Sequence, residues 1–205
     1  MSETPVRPRD AASLVVLRGR GSQCEVLLGR REPRDRFMPD IYVFPGGRVD
    51  PSDATHPAIS ELGPAVTERL RTARCRARGR APAVAAVRET YEETGLAFGS
   101  IEGDRVLPAL HHLSYIARAI TPASSQIRYH ARFFLARAEN AEGVMRSNGE
   151  LLDLRFVPLQ EVGELEVMDV TQYVLQEAAR CADGLPDDRA RKICYLRDRL
   201  RVRYE

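Results

Sequence analysis

Glu89, Glu92 and Glu93 lie in the stretch Arg88-Glu89-Thr90-Tyr91-Glu92-Glu93-Thr94-Gly95-Leu96. Their i, i+3, i+4 spacing places three carboxylates on one face of a helix. Like charges so arranged repel, and a stable surface helix normally avoids them or dilutes them with Lys or Arg at i+4. A hard cation removes the penalty. An all-oxygen donor set without His or Cys favours Mg²⁺ or Mn²⁺ over zinc, and Mg²⁺ keeps waters and reaches substrate phosphates. The chemistry indicated is phosphate chemistry. Taken alone the pattern is equally that of a solvated acidic surface, and the neighbouring segments decide between the two.

The element that must carry these acids is a helix from about 82 to 94. Pro82 suits its first turn, Gly95 suits a left-handed residue just past its end, and Val84, Val87 and Tyr91 point to a second, core-facing side. Upstream, Phe44-Pro45-Gly46-Gly47-Arg48-Val49-Asp50-Pro51-Ser52-Asp53 ends a strand, Ile41 to Phe44, in a turn where glycine lets backbone approach closely.

Together these two segments resemble the Nudix hydrolases, whose box reads G-x5-E-x7-R-E-U-x-E-E-x-G-U, with U aliphatic. Arg88 through Leu96 match its second half, Thr90 alone departing from the aliphatic preference. Gly47 and Asp53 match the first half with an acid one methylene shorter. Between Asp53 and Arg88 stand 34 residues where the family has seven, which reads as an insertion at about 54–80 inside the box. A loop tolerates this, because closure entropy costs only about 0.6 kcal/mol per doubling of length. The insertion is expected to form one or two helices lidding one side of the site, for substrate selection or dimer contact, with an ornament that never meets ligand as the equal alternative. The first half of the box is expected to be held in register by packing.

The resemblance implies a fold of class α/β, the Nudix α/β/α sandwich with a mixed sheet between helices. It implies metal, Mg²⁺ or Mn²⁺, on Glu89, Glu92, Glu93 and the Gly47 carbonyl. It also implies that Arg88 orients the catalytic Glu89 through an ion pair, which Asp53 or Asp50 would complete. Glu150, before a strand, is the alternative general base. Arg30 and Arg31, where a strand leaves the sheet, and Arg34 and Arg36 in the following loop are candidates for holding phosphates by forked hydrogen bonds.

Ile120-Thr121-Pro122 and Arg128-Tyr129-His130-Ala131-Arg132-Phe133-Phe134-Leu135 resemble a stretch of the coenzyme A diphosphatase branch, whose box is also split. That second resemblance supports the insertion, adds Arg128 to the substrate-binding candidates, and implies CoA or acyl-CoA as substrate, cleaved to 3′,5′-ADP and 4′-phosphopantetheine. The alternatives are an ADP-ribose- or NADH-type pyrophosphatase, and a non-catalytic Nudix ligand sensor. The intact carboxylates favour an enzyme.

The other segments fill out one domain. Of 205 residues, 43% are hydrophobic, enough for one compact unit spanning 1–205. Ala12 to Arg18 and Glu25 to Gly29 read as a hairpin of core strands, Leu113 to Ile120, Arg128 to Ala136 and Leu151 to Val157 as further strands, Met168 to Ala182 as an amphipathic helix, and Ile193 to Tyr204 as a closing hairpin. Net charge is +2, and all but Lys192 of the 31 basic residues are arginines scattered along the chain. Such a distribution argues against a nucleic-acid partner, which calls for a clustered basic surface with aromatics. Cys24, Cys75, Cys181 and Cys194 show no metal-ligand spacing and read as reduced thiols, and neither a secretory run nor about 18 consecutive apolar residues occurs. A soluble cytoplasmic protein without membrane contact is expected, with a homodimer left open beside a monomer.

Overall fold

The computed structural model describes residues 6–33, 39–72, 79–182, 184, 189–196 and 199–205. Arg34, Arg36 and Cys75 lie outside them. The strands are β1 (Arg9–Arg18), β2 (Glu25–Arg31), β3 (Tyr42–Val43), β4 (Gly46–Arg48), β5 (Gly99–Glu102), β6 (Arg105–Pro108), β7 (Ser114–Ile120), β8 (Tyr129–Arg137), β9 (Leu151–Pro158), β10 (Arg191–Leu196) and β11 (Arg199–Tyr204). The α-helices are α1 (Pro64–Thr72), α2 (Arg80–Thr94) and α3 (Asp169–Arg180).

The period-two alternation of β1 builds the layers. Ala12, Leu14 and Val16 enter one apolar cluster with the α2 residues Ala83 to Val87, while Val15 and Leu17 enter another with Val174, Leu175 and Ala178 of α3. β8 divides the same way, with Phe134 and Ala136 towards α2 and Phe133 and Leu135 towards α3. A mixed sheet between helices results, in the order β11-β10-β7-β8-β1-β2-β3, with β4 also on β1 and β9 on β2. Its central pair, β1 with β8, is parallel from Arg9↔Tyr129 to Leu17↔Arg137. β5 and β6, two short strands beside this sheet, pair separately.

The β1–β2 hairpin pairs only at its tip, Leu17↔Val26 and Arg18↔Glu25, while β9 pairs with β2 along its whole length, from Glu25↔Pro158 to Arg31↔Leu151. The closing hairpin pairs Arg191–Leu196 with Arg199–Tyr204, and a parallel β10–β7 pairing joins it to the sheet.

The described residues of the insertion pack as an added layer on α2 and do not lid the cleft. α1 sends Val66 and Leu70 into the cluster of Ala83 to Val87 and Tyr115, and Arg69 Nη1 donates to the Tyr115 carbonyl at 3.3 Å. This added layer explains why α2 is buried from Ala81 through Val87 rather than on one stripe. Two threonines deeper in α2 are fully enclosed without losing a hydrogen bond: Thr90 Oγ1 donates to the Ala86 carbonyl at 2.7 Å, and Thr94 Oγ1 to that of Thr90 at 2.6 Å. A hydroxyl therefore stands where an aliphatic side chain was expected.

Candidate active site

Gly95 ends α2 with φ +72° and donates its N–H to the Tyr91 carbonyl at 2.8 Å, so the three acids occupy the last two turns of a sharply stopped helix. Against those turns lies β4. Leu14 donates to the Pro45 carbonyl at 3.0 Å, seating the turn on β1, and the Gly46 N–H reaches Glu93 Oε2 at 2.8 Å. Gly46 has φ +150°, and a Cβ there would come within 2.6 Å of Ser13 Oγ, so no other residue fits without moving β1. A Cβ on Gly47 would meet the Glu89 carboxylate, within 2.6 Å of Oε2. The Pro-Gly-Gly turn thus brings bare backbone onto two of the acids.

Arg88 joins the halves of the box. Its Nε donates to Asp53 Oδ1 at 3.0 Å and its Nη2 to Asp53 Oδ2 at 3.2 Å, a forked pair across 35 residues of sequence. Nη2 also donates to the Arg48 carbonyl at 3.1 Å, and Nη1 to Glu89 Oε1 at 3.0 Å and Glu92 Oε2 at 3.2 Å. Asp53 is 1% exposed and receives the Asp50 N–H at 2.7 Å, inside a single 3₁₀ turn over Pro51–Ala54. Register therefore rests on a buried charge clasp, and not on packing alone. Burial works against the Arg88 charge, but Asp53, Glu89 and Glu92 outweigh it and hold its pKa above the ordinary value.

Burial raises the Glu93 carboxyl to about 8, with Glu89 and Glu150 adding to the rise and the Gly46 N–H and Arg31 opposing it. Glu89 is raised too, chiefly by burial, against the pull of Arg88. Low dielectric and neighbouring like charge are the conditions that a divalent cation relieves. The donors are all oxygens: Glu89, Glu93, the half-exposed Glu92, and Glu150 across the gap. No three acidic, His or Cys side chains among the described residues converge into a closed cage. Glu89 and Glu92 turn towards Arg88, and Glu93 towards Gly46. An open set suits an ion that keeps waters and takes part of its shell from substrate phosphate, so the residues fit Mg²⁺-type chemistry.

Glu89 and Glu93 line a cleft of about 720 Å³, which Glu92 does not line. Gly46, Gly47, Asp50, Glu150, Arg31 and Arg48 line it too, with the apolar or aromatic Pro122, Ile127, Tyr129, Phe133, Val170 and Tyr195. The candidate phosphate-binding arginines separate. Arg31 is in the cleft, whereas Arg30 pairs with Asp40 and does not line it. Arg128 donates to the carbonyls of Val6, at 2.7 Å, and Thr121, and ties the N-terminal segment to the β7–β8 loop instead of lining the cleft. Arg36 lies outside the described residues. None of the described residues 54–72 lines the cleft. His111 and His112 stack on each other, and His130 sits beside Asp10 and Arg118, none of them with the acids.

Sequence reading missed Arg48, although its place after Gly47 was a signal, and the apolar lining. The latter is assembled from three stretches distant in sequence, Pro122 to Phe133, Val170 and Tyr195, and has no local pattern.

The NUDIX domain family profile matches residues 7–177. No curated protein matches the sequence. Among solved structures, a NUDIX hydrolase from Alicyclobacillus acidocaldarius is 28% identical, with a TM-score of 0.65 over 86% of this chain and 93% of that one. An Ap4A hydrolase from C. elegans, solved as a binary complex, shares the fold at 17% identity and a TM-score of 0.52, over 84% and 96%. The NUDIX domain of Shewanella oneidensis NrtR, complexed with ADP ribose, does so at 12% and 0.53, over 85% and 88%. A box reassembled across an insertion by Arg88 and Asp53, on this sandwich and under that profile, places the chain in the Nudix family as a pyrophosphohydrolase of nucleoside diphosphate derivatives.

Proposed function

We propose that the enzyme hydrolyses CoA or acyl-CoA to 3′,5′-ADP and (acyl-)4′-phosphopantetheine, with Mg²⁺ or Mn²⁺ held by Glu89, Glu92, Glu93 and the Gly47 carbonyl. The observation that carries this reading is the cleft itself, whose lining joins acids and arginines suited to a metal-bound diphosphate with apolar side chains suited to a further, less polar moiety. The split box and the stretch Arg128 to Leu135 support the same branch. The NrtR domain, bound to ADP ribose, supports the second reading, a pyrophosphatase of ADP-ribose or NADH.

When bound, the metal neutralises the diphosphate and lowers the pKa of the attacking water. Glu89 accepts the proton of that water as its oxygen attacks phosphorus. The bridging P–O bond breaks, and the two halves leave as phosphate monoesters. Arg88 is a positioning residue, its fork on Asp53 fixing the guanidinium that holds Glu89 Oε1. Glu150, which also lines the cleft, is the competing base. Arg31, in the cleft, would bind phosphate by charge-assisted hydrogen bonds. The chain would act in the cytoplasm; no disulfide joins Cys24, Cys181 and Cys194.

The test is product analysis with CoA, acyl-CoA, ADP-ribose, NADH and dNTPs, beside Glu92→Gln and Glu93→Gln controls. Release of 3′,5′-ADP that the controls lack is expected; turnover of ADP-ribose or NADH alone would replace the CoA assignment with the second reading.

A further inference from the structure

Where β7, β8 and β10 turn one set of side chains to the cleft, they turn the opposite set to the other face of the sheet. Ala119, Phe133 and Tyr195 line the cleft. Arg118 stands in register with Arg132 on β8 and with Lys192 on β10, and Lys192 with Arg203 on the edge strand β11. One transverse row therefore carries four cations across four adjacent strands, neighbours about 5 Å apart. Arg201, opposite Cys194, lies on the same face one step along the edge.

Two carboxylates reach this row. Asp10 takes Arg132 Nη1 at 2.8 Å, and Glu205 holds Arg118 through both oxygens. The remaining members have no such partner: no described carboxylate lies within ion-pair distance of Lys192, Arg201 or Arg203. Counting the row and its two acids leaves two positive charges uncompensated, with Arg201 adding a third at the solvent side. His130, beside Arg118 and Arg132, is held neutral by burial and by those two arginines.

A second, independent observation lies at the inner end. Arg132 is 0% exposed, and both its Nε and its Nη2 are buried without a hydrogen-bond partner. A buried guanidinium with idle donors is destabilising unless an acceptor reaches it, which makes it a rare feature of a folded protein.

We infer that the Arg132–Arg118–Lys192–Arg203 row is a second anion site, on the face of the sheet opposite the cleft, for a small phosphate-bearing dianion. Two uncompensated charges match a phosphate monoester at neutral pH, and the exposed Arg203 beside the half-buried Lys192 gives it an entry edge. The site is separate from the diphosphate chemistry, since no residue of the row lines the cleft.

The probe is inorganic phosphate, titrated calorimetrically at constant ionic strength in EDTA. Saturable binding is expected in the wild type, weakened at least tenfold in K192Q/R203Q, retained in K192R/R203K, and retained in the cleft variant R31Q/R48Q. Circular dichroism of each variant keeps binding loss apart from misfolding; neither Lys192 nor Arg203 belongs to a core cluster, and their variants should melt as the wild type does. Loss of binding in R31Q/R48Q with retention in K192Q/R203Q would assign the phosphate to the cleft and overturn the inference. Non-saturable heats, or heats reproduced by chloride at equal ionic strength, would also overturn it.

Discussion

Removing the charge of Asp53 while keeping its shape should uncouple the two halves of the box. Asp53→Asn leaves an amide of nearly equal volume that still accepts the Asp50 N–H, but the Arg88 guanidinium, whose side chain is 19% exposed, then faces a neutral group in place of a buried carboxylate. Breaking one partner of a buried pair typically costs about 3–5 kcal/mol. Arg88 retains Glu89, Glu92 and the Arg48 carbonyl, so the lower end, about 3 kcal/mol, is appropriate. For a chain of this size that corresponds to a fall in Tm of about 6–12 °C. The assay is urea unfolding of D53N, R88Q and the double variant in metal-free buffer. The double variant should be less destabilised than the sum of the singles by at least about 1.5 kcal/mol, because the second change removes a partner already lost. Additive effects, or a loss below about 1 kcal/mol for D53N, would refute the clasp and return the register to packing.

Other consequences can be checked with the same preparations. Gly47→Ala should lower kcat/KM at least about 100-fold by displacing Glu89 while the protein stays folded, whereas Gly46→Ala, forced against β1 at positive φ, should fail to give soluble protein at all. Leu70→Ala should destabilise by about 2–5 kcal/mol with an unchanged KM, and a raised KM without loss of stability would restore the lid assignment for the insertion. His130 has its pKa lowered to about 4 by burial and by Arg132 and Arg118, against Asp10 and Glu205, while in the unfolded chain it titrates near 6.5. Its neutral form is favoured by folding, so stability should decline as pH falls from about 6.5 to about 4, by up to roughly 3 kcal/mol; His130→Asn should flatten that part of the profile, and an unchanged slope would refute the assignment.

Most of the sandwich was legible because each strand carries its own period. Leu113 to Ile120 and Arg128 to Ala136 are apolar, β-branched or aromatic runs whose limits shifted by only a residue in the structure. The acid face was legible for the same reason, since i, i+3, i+4 spacing is local. What sequence could not supply was pairing at a distance. That Asp53 or Asp50 would complete the Arg88 ion pair came from the family resemblance alone, and the structure puts Asp53 in that place; nothing local to either residue indicated the fork. α1 looked like a lid because its stripe of Val66 and Leu70 is weak among arginines, and only the small side chains of α2 beside it make those two residues core. Arg128 matched a branch pattern while its guanidinium went to two backbone carbonyls. The hairpin of β5 and β6 escaped notice because Gly99–Glu102 and Arg105–Pro108 are short and half polar.

The parallel union of β1 with β8 also sets an order in time. Arg9 pairs with Tyr129 and Val26 with Val157, so the first strands made on the ribosome wait for about 120 to 130 further residues before their partners exist. At about 5–20 residues per second that interval lasts from about 6 to 26 seconds. During it the hairpin tip, β4 and then α2 cover one side of β1, while Val15 and Leu17 wait for β8 and α3. Synthesis of this chain therefore passes through a stage in which its most apolar strand is an open edge, the condition under which nascent chains aggregate or recruit chaperones.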